Sequence, residues 1–176
     1  EPSKEMLDAL HKNFKALVHD DLTGRRNIMN IEGMLWTAER TGDKSLIAAA
    51  DSVFRNRKQI LGDGKLHRDS RVNIEFLTAE KPLEMHGVTM SEFLKLPIML
   101  YQATGNPYYR HLAVSSLDRL YHECELPDGL FTSAEWLKGR GIMHSHETCD
   151  AIDMSWTLGY FLEILKDAHY ADMMEK

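Results

Sequence analysis

The sequence is poor in cysteine and in long apolar runs, and each shortage excludes something. Two cysteines in 176 residues, Cys124 and Cys149, are too few for a disulfide framework. No apolar stretch approaches the roughly 18 residues that a membrane-spanning helix needs. No basic segment followed by an apolar one opens the chain as a signal peptide would. Positive charge is also in deficit: 21 Lys+Arg against 27 Asp+Glu give a net charge of −6, which argues against nucleic acid or an anionic membrane as partner. What remains, 43% hydrophobic and 27% charged residues, is the balance of a globular domain with a sizeable core.

Helical periodicity dominates, in two kinds. Met6, Leu7, Leu10, Phe14, Leu17 and Val18 lie on one face of a helix, as do Leu46, Ala49, Ala50, Val53 and Phe54, and then Leu112, Ala113, Ser116, Leu117, Leu120, Tyr121 and Cys124. The opposite faces are charged, so these are outer helices, wet on one side. Between them, Ile28 to Ala38, Val88 to Tyr101 and Ala151 to Leu165 are apolar nearly all the way round and are expected to be buried on every side. Pro97 is expected to kink or loosen the second of these.

The junctions repeat. Thr41-Gly42-Asp43 is echoed by Thr104-Gly105-Asn106 and, more weakly, by Leu165-Lys166-Asp167, at spacings of 63 and 61 residues. A Gly-type residue closes one helix and Asp or Asn caps the next. A period near 60 with two helices per unit marks a helical-hairpin array. Two alternating helix classes point further to an all-α fold of concentric rings, an α/α toroid. A closed ring of six such hairpins takes roughly 370 residues, so residues 1–176 read as one partial domain, about half of an (α/α)6 barrel, with inner helices bare enough to self-associate.

Two outer-to-inner connections are long, Leu61 to Met85 and Glu125 to His146, and long connections in compact domains are usually functional. The inner helices start on polar clusters: Arg25-Arg26-Asn27 with Asn30 and Glu32; His86 with Thr89, Ser91 and Glu92; His144 to Asp150 with Asp153. If those helices are parallel, the clusters converge on one rim, where His86, Trp136, His144 and His146 are placed to contact a substrate. His144-x-His146-Glu147-x-Cys149 holds the residue types of a zinc site, and a helix N-terminus lowers a thiol's pKa. The same residues also read as a packed Cys149, a capping Glu147 and surface histidines. Glu135-Trp136 sets a carboxyl beside an indole, the environment of a general acid, or else a solvated Glu next to a loop-anchoring Trp. Phe131 and Trp136 make a candidate sugar-stacking platform. His86 reads equally as a ligand contact and as a hydrogen-bonded structural residue. Cys124, on an apolar stripe, is core, and a Cys124–Cys149 disulfide has nothing to favour it.

His86-Gly87-Val88, Leu96-Pro97, Thr104-Gly105-Asn106, the run from Leu126 through Pro127-Asp128-Gly129-Leu130-Phe131-Thr132-Ser133-Ala134-Glu135-Trp136 to Leu137, Glu147-Thr148-Cys149 and Asp167-Ala168-His169-Tyr170 follow one another in this order. Together they resemble glycoside hydrolase family 127, the β-L-arabinofuranosidase family, and its bacterial relatives, most strongly from His86 to Lys176. The resemblance implies an (α/α)6 barrel and retaining hydrolysis of an L-arabinofuranoside-like bond by a zinc-held cysteine thiolate, in place of the usual second carboxylate. On that basis Glu147 and Cys149 match the family's Glu-x-Cys zinc ligands, and Glu135 best matches the general acid/base, although it stands closer to Glu147 than in the family. The family's nucleophile and last zinc thiolate come from a Cys-Cys pair further along than Lys176. These residues are therefore expected to hold half of the zinc site, to be inactive alone and to bind zinc weakly or not at all.

Two other readings stand beside this one. An unsaturated glycuronyl hydrolase on the same scaffold would use Asp150 or Asp153 as acid/base and need no metal. A non-catalytic helical-repeat module would bind a partner protein through its long loops.

Overall fold

The computed structural model describes residues 1–17, 22, 28–56, 74–83, 85–141 and 143–176. The cluster Arg25-Arg26-Asn27 and much of the first long connection lie outside the described residues. The fold is all-α. Eight helices are described: α1 (Lys4–Ala16), α2 (Asn30–Thr41), α3 (Lys44–Asn56), α4 (Ile74–Thr78), α5 (Gly87–Thr104), α6 (Pro107–Cys124), α7 (Thr148–Leu165) and α8 (His169–Met174). Between α6 and α7 a miniature antiparallel ladder pairs β1 (Ser133–Ala134) with β2 (Trp136–Leu137).

The three junctions fold alike. Gly42 and Gly105 end α2 and α5 in the left-handed region, at φ of 72° and 69°. There a side chain is strained and glycine is not. Lys166 ends α7 in the same conformation at φ 58° without that freedom. The residue after each then caps the following helix: Asp43 Oδ1 accepts from Ser45 N–H (2.9 Å), Asn106 Oδ1 from Tyr108 N–H (3.0 Å) and Asp167 Oδ1 from His169 N–H (3.0 Å).

Packing follows the same period. Helix α5 lies between α2 and α7, while α1 and α3 cover α2, α6 covers α5, and α8 covers α7. Glu32 of α2 reaches Lys95, 63 residues on in α5, and Lys95 Nζ sits 5.1 Å from the ring of Trp156, a further 61 residues on in α7. Residues at equivalent places of the repeat thus bring α2, α5 and α7 side by side. Lys95 is 6% exposed, held by Glu32 Oε2 at 2.7 Å, and Glu32 Oε1 also accepts from the Tyr160 hydroxyl at 2.9 Å. Burial, then Glu32, pushes that phenol up to about 12.

The core confirms one expectation about the inner helices and corrects another. From Gly87 to Leu100 every residue of α5 is buried except Glu92, which is half-buried, and the helix runs through Pro97 without a break. Helix α7 is not buried all round: Ile152 and Trp156 are 62% and 59% exposed. The reason is positional. Helix α5 has an inner helix on each side, whereas among the described residues α7 has one on a single side. The first long connection also carries an element not foreseen, α4, which is pinned to α6 because Arg119 donates to the carbonyls of Phe76 and Leu77 and pairs with Glu123 at 2.7 Å.

Candidate functional site

Three chain segments meet at the start of α5. The residues just before α5 are fixed from below, where Leu83 N–H donates to Glu123 Oε2 at 2.8 Å. They then pair with the loop that follows α6: Gly87 N–H donates to the Glu135 carbonyl (3.0 Å), Leu137 N–H to the Met85 carbonyl (2.8 Å), and His86 bridges Trp136. On the other edge of that loop, Ser133 bridges His146 at the threshold of α7. Glu135 occupies the tip between β1 and β2 at φ 67°, a conformation non-glycine residues seldom adopt outside constrained sites.

This weave gathers residues far apart in sequence. One ligand atom each from His86, Glu135 and Glu147 lies within 4.8 Å of the others, and His86 Nε2 is 3.4 Å from Glu135 Oε2. His86 caps α5, its Nδ1 lying 3.4 Å from both the N–H and the Oγ1 of Thr89. Glu147 occupies the N-cap position of α7 but makes no side-chain capping bond; instead Cys149 Sγ donates to its Oε2 at 3.5 Å. The Trp136 ring packs edge-on against His86, with centroids 5.9 Å apart. It also borders a cavity of about 760 Å³ shared with Leu83, Glu123, Cys124 and Leu137.

Other expectations are redistributed. Glu135 is 66% exposed at its side chain, so the indole does not enclose it. Phe131 is no platform: it is 1% exposed and packs edge-on against Tyr121. His144 Nδ1 is 3.2 Å from the Gly139 carbonyl, and His146 Nδ1 is 3.7 Å from Asp128 Oδ2, so both rings serve the loop and neither belongs to the three-residue cluster. Glu32 is held by Lys95 and Tyr160 and is not part of the His86 cluster. Cys124 is buried and Cys149 exposed, and both are free.

The Asp150 N–H at the start of the helix pulls the Cys149 thiol down but is outweighed. Desolvation raises it, and the Glu147 and Asp150 carboxylates add to the rise, because an anion beside anions is disfavoured. Asp150, one of the two residues (with Asp153) considered as acid/base on the glycuronyl-hydrolase reading, is 1% exposed beneath Gly87 and Ser133. Burial raises its pKa above the ordinary carboxylate value. The Ser133 hydroxyl lies beside it and favours the ionised form, yet neither Ser133 Oγ nor either Asp150 oxygen makes a well-formed hydrogen bond among the described residues. Sequence reasoning missed how Gly87 closes this floor, though a glycine opening a buried helix was the available signal.

No protein-family model, curated protein or solved structure matches this chain. None of the helices among the described residues is long and apolar enough to cross a membrane.

Proposed function

We propose that these residues form about half of an (α/α)6 barrel of the family 127 type, and that the barrel hydrolyses L-arabinofuranoside-like bonds with retention. The observation that supports this most is the meeting of His86, Glu135 and Glu147 at one rim, from three separate segments. Each belongs to a motif on which the family resemblance rests.

In this reading Glu135 donates the proton to the departing glycosidic oxygen. Its exposed position on a fixed loop tip suits a group that must reach substrate, and His86 at 3.4 Å orients it. Trp136 offers a flat apolar surface to a sugar ring at the edge of its cavity. Glu147 and Cys149, whose Oε2 and Sγ lie 3.5 Å apart, have the donor types and proximity to share one zinc ion, which would supply charge for thiolate chemistry. The nucleophile itself comes from outside these residues.

The test is release of 4-nitrophenol from 4-nitrophenyl β-L-arabinofuranoside by the native protein carrying this segment. Glu135→Gln is expected to lower kcat by at least about 100-fold while leaving the melting temperature unchanged. Full activity in that variant removes Glu135 from the mechanism, and an inert native protein removes the hydrolase reading.

A further inference from the structure

We infer that His86, Glu135 and Glu147 form a divalent-cation site of zinc type complete within these 176 residues. This ligand set differs from the Glu147–Cys149 pair considered above: it shares Glu147, but is closed by an imidazole and a second carboxylate and needs no thiolate. It therefore runs against the expectation that this chain alone binds zinc weakly or not at all.

The geometry carries it. Zinc takes His nitrogen and carboxylate oxygen at about 2.0–2.2 Å in tetrahedral array, which sets neighbouring donors about 3.4 Å apart. His86 Nε2 and Glu135 Oε2 stand at 3.4 Å, long for a hydrogen bond and matched to two ligands of one ion. A donor atom of the half-buried Glu147 lies within 4.8 Å of both, so its side chain must draw inward to close the third vertex. Two carboxylates and one neutral imidazole neutralise a divalent cation and leave a fourth position open, the pattern of zinc sites that hold an exchangeable ligand.

The surroundings fit as well. A ligating histidine must keep its lone pair at the metal and donate its other N–H elsewhere. Thr89, fully buried, sets its Oγ1 3.4 Å from His86 Nδ1; ligation through Nε2 takes the tautomer in which Nδ1 donates to that Oγ1 and gives up the Thr89 N–H that it accepts as the cap of α5. Beneath the site lies the carboxyl group of Asp150, 1% exposed and without a well-formed hydrogen bond among the described residues. The backbone holds the set together independently of any ion, through Gly87 N–H on the Glu135 carbonyl and the Ser133–His146 bridge leading to Glu147.

While the ion is bound, the Glu135 carboxylate cannot pass a proton. On the hydrolase reading, the loaded site is therefore an off state.

The test is calorimetric titration of the metal-free chain with Zn²⁺, with Co²⁺ as a spectroscopic substitute. One equivalent is expected to bind, weakened at least about tenfold by each of His86→Ala, Glu135→Gln and Glu147→Gln, and by Thr89→Val to a similar degree. Cys149→Ser should leave affinity within about threefold, and the Co²⁺ spectrum should lack a thiolate charge-transfer band. Absence of binding overturns the inference. So does a strong thiolate band, or binding abolished by Cys149→Ser and untouched by His86→Ala, either of which moves the ion to the Glu147–Cys149 pair. Because the wild-type spectrum is itself diagnostic, a variant that misfolds does not spoil the test. Zinc binding of this pattern in a protein that cleaves no furanoside retains the site and removes the enzymatic reading, and hydrolysis without such binding does the reverse.

Discussion

A methyl group added to Gly87 would lie 1.6 Å from Ser133 Oγ and 2.3 Å from Ser133 Cβ, with Asp150 Oδ1 at 2.8 Å. The hydroxyl can rotate, but the Cβ cannot move without its backbone. The loop bearing Glu135 can therefore lie on α5 only over a glycine. Gly87→Ala is expected to destabilise the chain by about 3 kcal/mol, at the upper end for overpacking, and to part Glu135 from His86. A urea midpoint shift reads the first effect, and loss of contact between the 133–137 loop and α5 in hydrogen exchange reads the second. Gly105 makes a useful control: a Cβ there meets nothing within 4 Å, and the cost of Gly105→Ala comes from its φ of 69° alone, about 1 kcal/mol. Two glycines thus serve different ends, one for space and one for backbone angle. Only the second was legible in the sequence, because its Thr-Gly-Asn setting repeats an earlier junction.

At the scale of elements, the charged layer through α2, α5 and α7 is the most informative feature. Lys95 is nearly sealed from solvent and its stabilisation depends on Glu32, whose other oxygen is occupied by Tyr160. Lys95→Met is expected to cost about 3 kcal/mol, since it strands a half-buried carboxylate. Adding Glu32→Met should recover much of that loss. A double-mutant cycle on chemical denaturation measures the coupling, and strictly additive losses would show that the pair is not coupled. The helices themselves were readable from apolar periodicity, and their bounds follow from caps the sequence displays. The pairing of Glu32 with Lys95 was not, because it depends on the 63-residue offset becoming a lateral contact. The same holds for α4, too short for periodicity to reveal and held by Arg119 from another helix.

At the scale of the whole molecule, α5 and α7 differ in what they leave exposed. Both sequences are apolar all round, but α7 has an inner neighbour on one side alone among the described residues and leaves Ile152 and Trp156 in water, beside an open groove of about 620 Å³ that includes Trp36, Met99 and Tyr160. A patch of that kind favours association. Sedimentation is expected to show concentration-dependent self-association of the chain, reduced by Ile152→Ser with Trp156→Ser; a strictly monomeric chain would count against an adhesive face. What the sequence determined by itself was local and periodic: all-α class, helix ends, the three-fold junction and a buried Cys124, because each depends on residues a few positions apart or on a period. What only the tertiary structure decided was convergence. It placed His86 with Glu135 and Glu147 and left His144 and His146 to the loop. It put Phe131 in the core and made Cys149 a reluctant thiolate. Distances between segments, and the charges that then face one another, arise only when the chain is packed.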